Sequence, residues 1–242
     1  MNAIERQRVA IITGASRGLG HALTMTLVRR GWHAVVDARD GDHLRAAFAH
    51  AAGPGNVTTM AGDVTDPAHR QRLVAEATAR GGLDLLVNNA SMLGPSPQPR
   101  LSDYPLDVLA QVFATNAIAP LALIQLALPS LELHRGRIVN VTSDAAIESY
   151  AGWGGYGSSK AALEQLSNVL AAEHPQLRIY AVDPGDMNTD LHQQAYPGED
   201  ISDRAAPQSV VPALLQLIEH DLPSGRYRAA ELRGIEKPAV PA

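Results

Sequence analysis

The chain alternates between short runs of β-branched or aliphatic residues and longer amphipathic segments over nearly its whole length. The runs VAIIT, which begins at Val9, and LDLLVNN, which begins at Leu83, are apolar without polar alternation, as in strands covered on both faces. Strands that alternate with helices in this way indicate parallel βαβ units with right-handed crossovers. The sequence therefore predicts an α/β protein in which helices cover both faces of a parallel sheet of about seven strands.

This pattern places seven strands, at Val9–Thr13, His33–Ala38, Val57–Ala61, Leu83–Asn88, Gly136–Thr142, Leu177–Val182 and Gly225–Ala229. It places six helices between them, near Leu19–Arg30, Gly41–Ala52, Pro67–Arg80, Pro105–Leu133, Tyr156–Glu173 and Pro207–His220. No internal repeat or low-complexity linker interrupts the series, so we expect residues 1–242 to form a single domain. The polar stretch Asp186–Ala206 is long for a loop in a compact domain, which predicts a substrate lid at about residues 186–206.

Composition and charge exclude several classes of protein. The net charge is -5 and aromatic residues make up only 4%, which argues against nucleic-acid binding and base stacking. The chain has no cysteine and its nine histidines form no HExxH pattern, so we expect neither a disulfide nor a metal site.

The apolar segments also bear on location. The N-terminal residues MNAIERQR have no apolar stretch after their charges, so we expect no signal peptide. The most apolar segment, Ile118–Leu133, is short and contains Pro120 and Pro129, so we expect it not to span a membrane. These features predict a cytoplasmic protein that acts on a small molecule and binds neither nucleic acid nor membrane.

The first predicted strand leads directly into the glycine-rich segment TGASRGLG, residues 13–20, and a helix is predicted to follow. Glycines let the backbone turn tightly and approach a pyrophosphate, while the next helix N-terminus offers free N–H groups and partial positive charge. The placement between a first strand and a first helix makes this pattern far more specific than three glycines alone. The segment predicts a site for the phosphates of a dinucleotide.

TGASRGLG resembles the TGxxxGxG fingerprint of the compact type of the short-chain dehydrogenase/reductase family. Three more segments match in order: GDVTD around Asp63, NNAS at 88–91 with serine in place of the usual glycine, and DPGDMNT at 183–189. SGRYRA resembles the family's last strand, although AAELRG replaces its usual glycine pair. The resemblance implies a Rossmann-like, doubly wound sheet. It also implies cofactor contacts from Gly14, Ser16, Arg17, Gly18, Leu19, Gly20, Asp63, Val64, Asn88, Ala90, Met187 and Thr189.

The segment YGSSK is the family's YxxxK, and it places Tyr156 and Lys160 on one face of a helix. A free tyrosine has a pKa near ~10, and a nearby cation is expected to lower it toward neutral pH, where the phenol exchanges protons readily. Ser143 ends the preceding strand and Asn116 lies on the long helix before it. The resemblance implies that Ser143 positions the substrate oxygen, that Asn116 kinks its helix and holds a water, and that Tyr156 and Lys160 contact the cofactor as well.

The choice between NAD and NADP depends on the end of the second strand. An acidic residue about 20 positions after the fingerprint often marks NAD, and Asp37 invites that interpretation. Counted from the end of the glycine loop, however, the family's NAD-selecting acid falls on Ala38, and the next residue is Arg39. Arg39 and Arg17 suit a 2′-phosphate through paired hydrogen bonds, which predicts NADP(H). A slip of one residue would restore Asp37, and Asp40 would alternatively pair with Arg39 on the surface.

These features together predict an NADP(H)-dependent oxidoreductase, a ketone or aldehyde reductase that transfers hydride between nicotinamide and a carbonyl or secondary alcohol. Two alternatives stay open: an NAD-dependent alcohol dehydrogenase, and a regulatory protein that senses a dinucleotide without turnover. Cofactor titration separates the first, and the presence of both Tyr156 and Lys160 argues against the second. Candidates to meet the substrate, with packing or solvation as their ordinary roles, are Asp144, Tyr150, Trp153, His192 and Tyr196.

The helix predicted at Pro105–Leu133 is apolar around its circumference, whereas a helix that lies on a sheet needs only one apolar face. Its second half carries Ile118, Leu121, Leu123, Ile124, Leu126, Leu128 and Leu131. The helix Tyr156–Glu173 has an apolar set of its own, and the two helices resemble the pair that forms a four-helix dimer interface in the family. We therefore expect a homodimer or a homotetramer.

Overall fold

The computed structural model describes residues 6–51 and 57–232. Within them one parallel sheet contains β1 (Val9–Ile12), β2 (His33–Ala38), β3 (Val57–Ala61), β4 (Leu85–Asn88), β5 (Arg137–Val141), β6 (Arg178–Asp183) and β7 (Gly225–Arg228). The strand order is β3-β2-β1-β4-β5-β6-β7, and every neighbouring pair is parallel. The predicted α/β class and the doubly wound parallel sheet of seven strands are confirmed.

Helices cover both faces of this sheet. They are α1 (Gly18–Arg29), α2 (Gly41–Phe48), α3 (Pro67–Ala79), α4 (Leu106–Phe113), α5 (Ala119–His134), α6 (Gly154–Glu173), α7 (Asp190–Ala195), α8 (Val211–Glu219) and α9 (Ala229–Leu232). One apolar layer joins α1, α2 and α8 to the sheet through residues such as Leu23 and Leu214. The other joins α3, α5 and α6 to it through residues such as Leu73 and Ile124.

Neighbouring residues of β1 supply both layers. Ile12 packs in the layer of α1 and α8, Ile11 packs in the layer of α3 and α5, and both are fully buried. Because successive side chains of a strand point to opposite faces, a strand covered on both sides needs apolar residues throughout. The strand order reverses direction between β1 and β4, and the carboxyl ends of the strands there form the edge at which such sheets bind ligands.

The predicted helix Pro105–Leu133 is a continuous helical stretch of 29 residues, Leu106–His134, in which a π-helical segment, Ala114–Ile118, joins α4 to α5. Pro120 lies just after the π-helical segment and Pro129 lies inside α5, so the helix continues through both prolines. The helix is therefore longer and more continuous than its sequence predicts, which removes the two reasons for which a membrane span was not expected. Its length and composition are those of a span, with 44% of its apolar window buried, and a core helix of a soluble protein meets the same criterion.

The stretch Asp186–Ala206 differs from the unstructured polar loop that its sequence predicts. It contains the short helix α7, and Met187 and Ala205 form a parallel bridge near its two ends. Ile201 is also buried, with 5% of its surface exposed. Backbone pairing and one apolar anchor therefore order a segment whose amphipathic periodicity is too short to predict a helix.

The last strand lies where the sequence predicts it, and α9 follows it directly. Arg233 and Gly234, the last two residues of AAELRG, lie outside the described residues, as does Ala52, the predicted end of the second helix.

Candidate active site

A cleft of about 840 Å³ follows the carboxyl edge of the sheet. One part, the glycine-loop end, is lined by residues of the loop after β1 together with the segments after β2 and β3. The other part, the tyrosine end, is lined by Ser143, Asp144, Trp153, Tyr156 and Lys160 together with residues of α7. The predicted nucleotide motif thus shares one cleft with Ser143, Tyr156 and Lys160, three of the four predicted catalytic residues.

The glycine loop packs against the segment that follows β4. Gly14 has a φ of +65°, and a Cβ there would lie 2.8 Å from Cα of Ala90. A Cβ at Gly20 would lie 2.6 Å from Nδ2 of Asn89. Only glycine permits contacts this close. The loop ends at the N-terminus of α1, whose first turn contains no acidic residue, so its free N–H groups and dipole favour an anion in the cleft.

Asp37 lies beneath this loop, with 2% of its surface exposed. One carboxylate oxygen accepts the backbone N–H of Gly14 at 2.8 Å. The other lies 3.1 Å from Nε2 of His69, which is fully buried. The carboxylate therefore ties β2 to the glycine loop and to α3, and both of its oxygens are engaged inside the protein.

The two arginines at this end, Arg39 and Arg17, differ in whether their guanidinium groups have a partner in the protein. Arg39 is exposed, and within residues 6–51 and 57–232 no hydrogen bond or ion pair engages its guanidinium. Asp40 does not pair with it, because its carboxylate accepts the N–H of His43 at 3.0 Å and caps α2. Arg17 forms an ion pair with Asp190 at the start of α7. Arg39 is thus the base whose donors are available to a ligand, while those of Arg17 are shared with α7.

Asp63 lies beside Arg39 at the end of β3. Its Oδ1 accepts the N–H of Thr65 at 2.8 Å and the hydroxyl of Thr65 at 2.7 Å. Burial opposes ionisation, but these two hydrogen bonds and the charges of Arg39 and His69 outweigh it and hold the pKa of Asp63 below its ordinary value. The carboxylate is therefore anionic at neutral pH and available as an acceptor in the cleft.

Most of the predicted cofactor contacts line the cleft: Gly14, Ser16, Arg17, Gly18, Leu19, Arg39, Asp63, Val64, Ala90, Tyr156, Lys160, Met187 and Thr189. Gly20 and Asn88 do not. Asn88 is buried, and its Nδ2 donates to Oδ1 of Asn140 in β5 at 2.7 Å. Since successive strand residues point to opposite faces, the next residue takes the place at the cleft. That residue is Asn89, whose Nδ2 donates to the carbonyl oxygen of Thr13 at 2.8 Å.

Tyr156 and Lys160 lie one helical turn apart at the start of α6, and both are almost fully buried. Nζ of Lys160 lies 5.5 Å from the ring centroid of Tyr156 and donates to the carbonyl oxygen of Val141 at 2.8 Å. Burial lowers the pKa of Lys160 to about 7. The predicted proximity of the phenol and the amine is therefore present, with no carboxylate bonded to the amine.

The expected direction of the pKa shift on Tyr156 is wrong for the protein alone. Burial raises the pKa of Tyr156 to about 12, the charges of Asp183 and Asp144 act in the same direction, and a hydrogen bond with Ser91 opposes them. The main cause is that burial disfavours the charged form of the phenol, and burial likewise lowers the pKa of the lysine, so at neutral pH it carries only part of the charge that would stabilise a phenolate. At neutral pH the phenol keeps its proton.

Ser143 follows β5 at the cleft. Its Oγ donates to Oδ1 of Asp144 at 2.9 Å. Its carbonyl oxygen accepts from Nη2 of Arg226 at 3.4 Å, and Nε of Arg226 donates to Glu164 at 3.0 Å. The backbone of the serine is thus held from β7 and α6, while its hydroxyl is free to rotate between Asp144 and a ligand.

Asn116 lies in the π-helical segment and is fully buried, so the structure places it behind the cleft wall. Its Nδ2 donates to the carbonyl oxygen of Met92 at 2.8 Å and to Oγ of Ser159 at 2.9 Å. Its Oδ1 accepts the N–H of Met92 at 2.8 Å and the hydroxyl of Ser91 at 3.3 Å. The side chain is fully used in holding the segment after β4, so any water that it serves is held by other atoms.

Sequence reasoning missed three of the supporting residues. Asn89 is adjacent to a predicted contact, and its place in the NNAS segment is a signal that could have found it. His69 and Arg226 occur in ordinary helix and strand positions, and only the fold brings them to Asp37 and Ser143.

The residues present fit a nicotinamide dinucleotide. The close-packed glycine loop and the N-terminus of α1 suit a pyrophosphate. Arg39 suits a further phosphate on the ribose, and the amine of Lys160 suits hydroxyl groups beside Tyr156. Among the described residues, no group of three or more His, Cys, Asp or Glu side chains is placed to hold a metal ion.

Comparison with known proteins agrees with this geometry. Residues 8–200 match the family model described as short chain dehydrogenase. The chain is 32% identical to the benzil reductase ((S)-benzoin forming) of Saccharomyces cerevisiae, over 86% of this chain and 80% of that protein.

Two solved structures are also similar to this one. A short chain dehydrogenase of Shigella flexneri complexed with NADP has a TM-score of 0.85 and 27% identity, over 92% of this chain and 97% of that one. A short chain dehydrogenase of Escherichia coli complexed with NADPH has a TM-score of 0.84 and 28% identity, over 92% of this chain and 96% of that one.

Proposed function

Because this chain belongs to the short-chain dehydrogenase family, we propose that it is an NADP(H)-dependent reductase of ketones or aldehydes. The family gives the broader activity: the chain is an oxidoreductase that acts on CH–OH or C=O groups. The observation that carries the narrower proposal is that Ser143, Tyr156 and Lys160 line one cleft with a glycine loop and the unpaired Arg39.

The bound nicotinamide supplies a hydride to the carbonyl carbon in reduction, or accepts one in oxidation. In reduction Tyr156, which keeps its proton at neutral pH, donates it to the carbonyl oxygen. Ser143 turns its hydroxyl from Asp144 to the same oxygen and stabilises the negative charge that grows there. Lys160 binds the ribose hydroxyls and, when protonated, favours the ionised form of Tyr156 that remains after the proton has left.

Asn116 acts in this proposal through the segment it holds. Its four hydrogen bonds fix Met92, Ser91 and Ser159 around Tyr156. The irregular backbone of the π-helical segment supports a water beside Lys160 that returns a proton from solvent. The asparagine thus contributes to a proton relay by holding the residues around Tyr156 in place, without itself carrying the proton.

NADP is favoured over NAD by the different states of two residues. Arg39 is exposed and unpaired among the described side chains, so its guanidinium is ready for a 2′-phosphate. Each oxygen of Asp37 already accepts a hydrogen bond, from Gly14 or from His69, so this carboxylate serves the protein before any ribose hydroxyl of NAD. Two similar structures are complexed with NADP or NADPH, which supports the same choice.

A panel of ketones and aldehydes assayed with NADPH and NADH side by side tests the proposal. We expect NADPH oxidation with at least one carbonyl compound and a lower kcat/KM with NADH. A preference for NADH would support the alternative of an NAD-dependent alcohol dehydrogenase. Tight NADPH binding by calorimetry without turnover of any carbonyl compound would support the alternative of a dinucleotide sensor.

The stretch 186–206 is proposed as a lid over the bound ligands. It lines the cleft through α7 and is attached to the glycine loop by the ion pair of Arg17 with Asp190. Hydrogen exchange of its amides is expected to slow when NADPH and substrate are added, since closed lids protect their backbone. Equal exchange with and without ligands would contradict a lid.

A homo-oligomer, a dimer or a tetramer, is proposed from the outer faces of two helices. Ile118, Leu126 and Leu133 on the long helix and Val169 on α6 are exposed, although neighbouring residues of the same helices are buried. Apolar groups collected on one surface indicate contact with a second copy. Light scattering at micromolar concentration is expected to give at least twice 25.7 kDa, and Leu126→Glu is expected to lower that mass. A mass near 25.7 kDa for the unchanged protein would contradict the proposal.

The same long helix packs on α3 and the sheet, which supports a cytoplasmic location.

A further inference from the structure

The tyrosine end of the cleft has an aromatic wall. Trp153 lines it, and its ring centroid lies 5.9 Å from that of Tyr156 with the ring planes at 73°. Tyr150 and Tyr196 stand around the same indole at centroid distances of 6.4 Å and 6.0 Å. The chain contains only two tryptophans and six tyrosines, so one tryptophan and three tyrosines at one place are a marked concentration.

Several apolar side chains line this end beside the polar ones. Leu93 packs in one small cluster with Tyr156 and Trp153, and Leu191 and Ala195 of α7 belong to the same cluster. Met92 also lines the cleft. Flat aromatic groups pack well between an indole and a thioether, because both are polarizable and the indole also offers edge and face contacts.

Charge is divided along the cleft. The lysine and arginine side chains that line it, among the described residues, are Arg17 and Arg39 at the glycine-loop end and the buried Lys160. The carboxylates of Asp37, Asp40 and Asp63 lie at the same end as the two arginines, and the lining at the tyrosine end includes those of Asp144 and Asp186. The glycine-loop end therefore carries charges of both signs, whereas the carboxylates at the end that receives the substrate have only the buried Lys160 beside them as a lysine or arginine of the lining.

Among the described residues, the carboxylate of Asp144 is bonded to hydroxyl groups and a backbone N–H and to no cationic side chain. Its Oδ1 accepts the hydroxyl of Ser143 at 2.9 Å, and its Oδ2 accepts the hydroxyl of Tyr150 at 2.9 Å. Its negative charge also contributes to the raised pKa of Tyr156, so the field of this carboxylate reaches the group that meets the substrate oxygen. Asp186 lies 3.9 Å from Nε of Arg204 and 3.9 Å from Nδ1 of His192.

We propose, on the basis of the function proposed above, that the substrates are aryl ketones or aldehydes that carry no anionic group. The aromatic ring lies against Trp153 while the carbonyl oxygen meets Tyr156 and Ser143, and Asp144 disfavours carboxylated or phosphorylated compounds. The reaction is the reduction of C=O to CH–OH, with the hydride from NADPH and the proton from Tyr156.

Four ketones test the two parts of the proposal, with kcat/KM measured at saturating NADPH. Acetophenone against cyclohexyl methyl ketone tests the ring, and the aryl compound is expected to be favoured by about fivefold, which is the size of an aromatic pair contact. 4-(Aminomethyl)acetophenone against 4-acetylbenzoate tests the charge, and the cationic compound is expected to be favoured by about tenfold or more.

Two substitutions assign these preferences to residues. Trp153→Leu keeps an apolar wall without a ring and is expected to bring the aryl-to-cyclohexyl ratio close to one, while Trp153→Phe keeps most of it. Asp144→Asn keeps the size of the side chain and one acceptor for a hydroxyl, while its NH2 group can donate to the oxygen of the other hydroxyl, and it is expected to reduce the cation-to-anion ratio several-fold. Asp107→Asn, an exposed acidic residue on α4, is the matched control and is expected to leave that ratio unchanged. A general disturbance of the site lowers both members of a pair together, so it does not move either ratio.

The wild-type ratios decide the proposal even if a variant fails to fold. Equal kcat/KM for acetophenone and cyclohexyl methyl ketone, or efficient reduction of 4-acetylbenzoate, would overturn the substrate class while leaving the reductase function in place. If no carbonyl compound of any class is reduced with NADPH or NADH, the proposed function itself fails.

Discussion

The two ends of the cleft differ in the partners that they give to their ionisable side chains. At the glycine-loop end, Asp37 is bonded to a backbone N–H and to His69, and Asp63 is bonded twice to Thr65. At the tyrosine end, the buried Lys160 donates to a neutral carbonyl oxygen, and the charges of Asp183 and Asp144 act on Tyr156 in the same direction as its burial. The carboxylates named at the glycine-loop end are therefore stabilised by hydrogen bonds within the protein, whereas Lys160 and Tyr156 have no bonded partner of opposite charge among the described residues.

This difference distinguishes residues that hold the glycine loop in place from residues that transfer a proton. A compensated carboxylate stays ionised and keeps its position, which suits a scaffold for the glycine loop. A buried amine and a buried phenol without compensation change their protonation state easily when a ligand alters their surroundings, which suits proton transfer. The pKa of about 7 for Lys160 and of about 12 for Tyr156 describe that state before a ligand contributes. Substitutions at the two ends should therefore have different signatures.

The largest effect is expected at the tyrosine end. Tyr156→Phe keeps the ring against Trp153 and removes the proton, so kcat is expected to fall by about 10²- to 10⁴-fold, the usual contribution of a positioned acid. NADPH binding, measured by calorimetry, is expected to change little. The control is Tyr227→Phe, a tyrosine of β7 outside the cleft lining, which should leave both quantities unchanged. A Tyr156→Phe enzyme that keeps most of its kcat would remove the tyrosine from the proposed reaction.

At the glycine-loop end, Arg39→Ala sharpens the comparison by affecting one cofactor only. Loss of a charge-assisted contact to a 2′-phosphate is expected to weaken NADPH binding by roughly 10- to 150-fold. NADH, which lacks that phosphate, should bind almost as before. Equilibrium titration of both cofactors by fluorescence measures the two constants. Equal losses for NADH and NADPH would show that Arg39 does not select between them.

Asp37→Ala at the same end should affect both cofactors equally. It leaves the N–H of Gly14 and the ring of His69 without their buried partner, at a cost of about 1–3 kcal/mol in the free energy of unfolding. Binding of NADPH and NADH is expected to weaken by the same factor because the glycine loop serves both. Asp37→Asn, which keeps one acceptor, should recover part of the loss. If Asp37→Ala weakens NADH alone, Asp37 contacts the ribose and the NAD interpretation is correct.

The smallest expected effect is on stability. It follows because the buried amine of Lys160 is bonded to a neutral carbonyl oxygen and to no carboxylate among the described residues. Its pKa is about 7 when folded and 10.5 ordinarily, so the unfolded chain binds more protons between these values. Its contribution to the stability is therefore most favourable above pH 10.5 and is lost as the pH falls through about 7. Lys160→Met removes this penalty and should raise Tm by a few degrees at pH 6, since about 1 kcal/mol corresponds to roughly 2–4 °C in a chain of this size.

The gain in Tm from Lys160→Met should shrink as the pH approaches 10, although turnover is lost at every pH. A Tm for Lys160→Met that stays below the wild type at pH 6 would mean that the amine is compensated in the folded protein.

The sequence alone determined the features that depend on residues only a few positions apart in the chain. Apolar runs without alternation predicted strands covered on both faces, and all seven lie where expected to within a few residues. The glycine loop and the YxxxK spacing placed Gly14, Tyr156 and Lys160 at one cleft, because strand, turn and helix geometry act over a few residues.

Only the tertiary structure decided what depends on partners far apart in the chain and on burial. His69 meets Asp37 across 32 residues, Arg17 meets Asp190 across 173, and neither pairing has a sequence signal. Asn89 replaced Asn88 at the cleft because the orientation of one strand residue sets which amide faces the ligand. The pKa of Tyr156 moved upward because exclusion of water from the folded site outweighs the neighbouring amine, and that balance exists only once both groups are buried together.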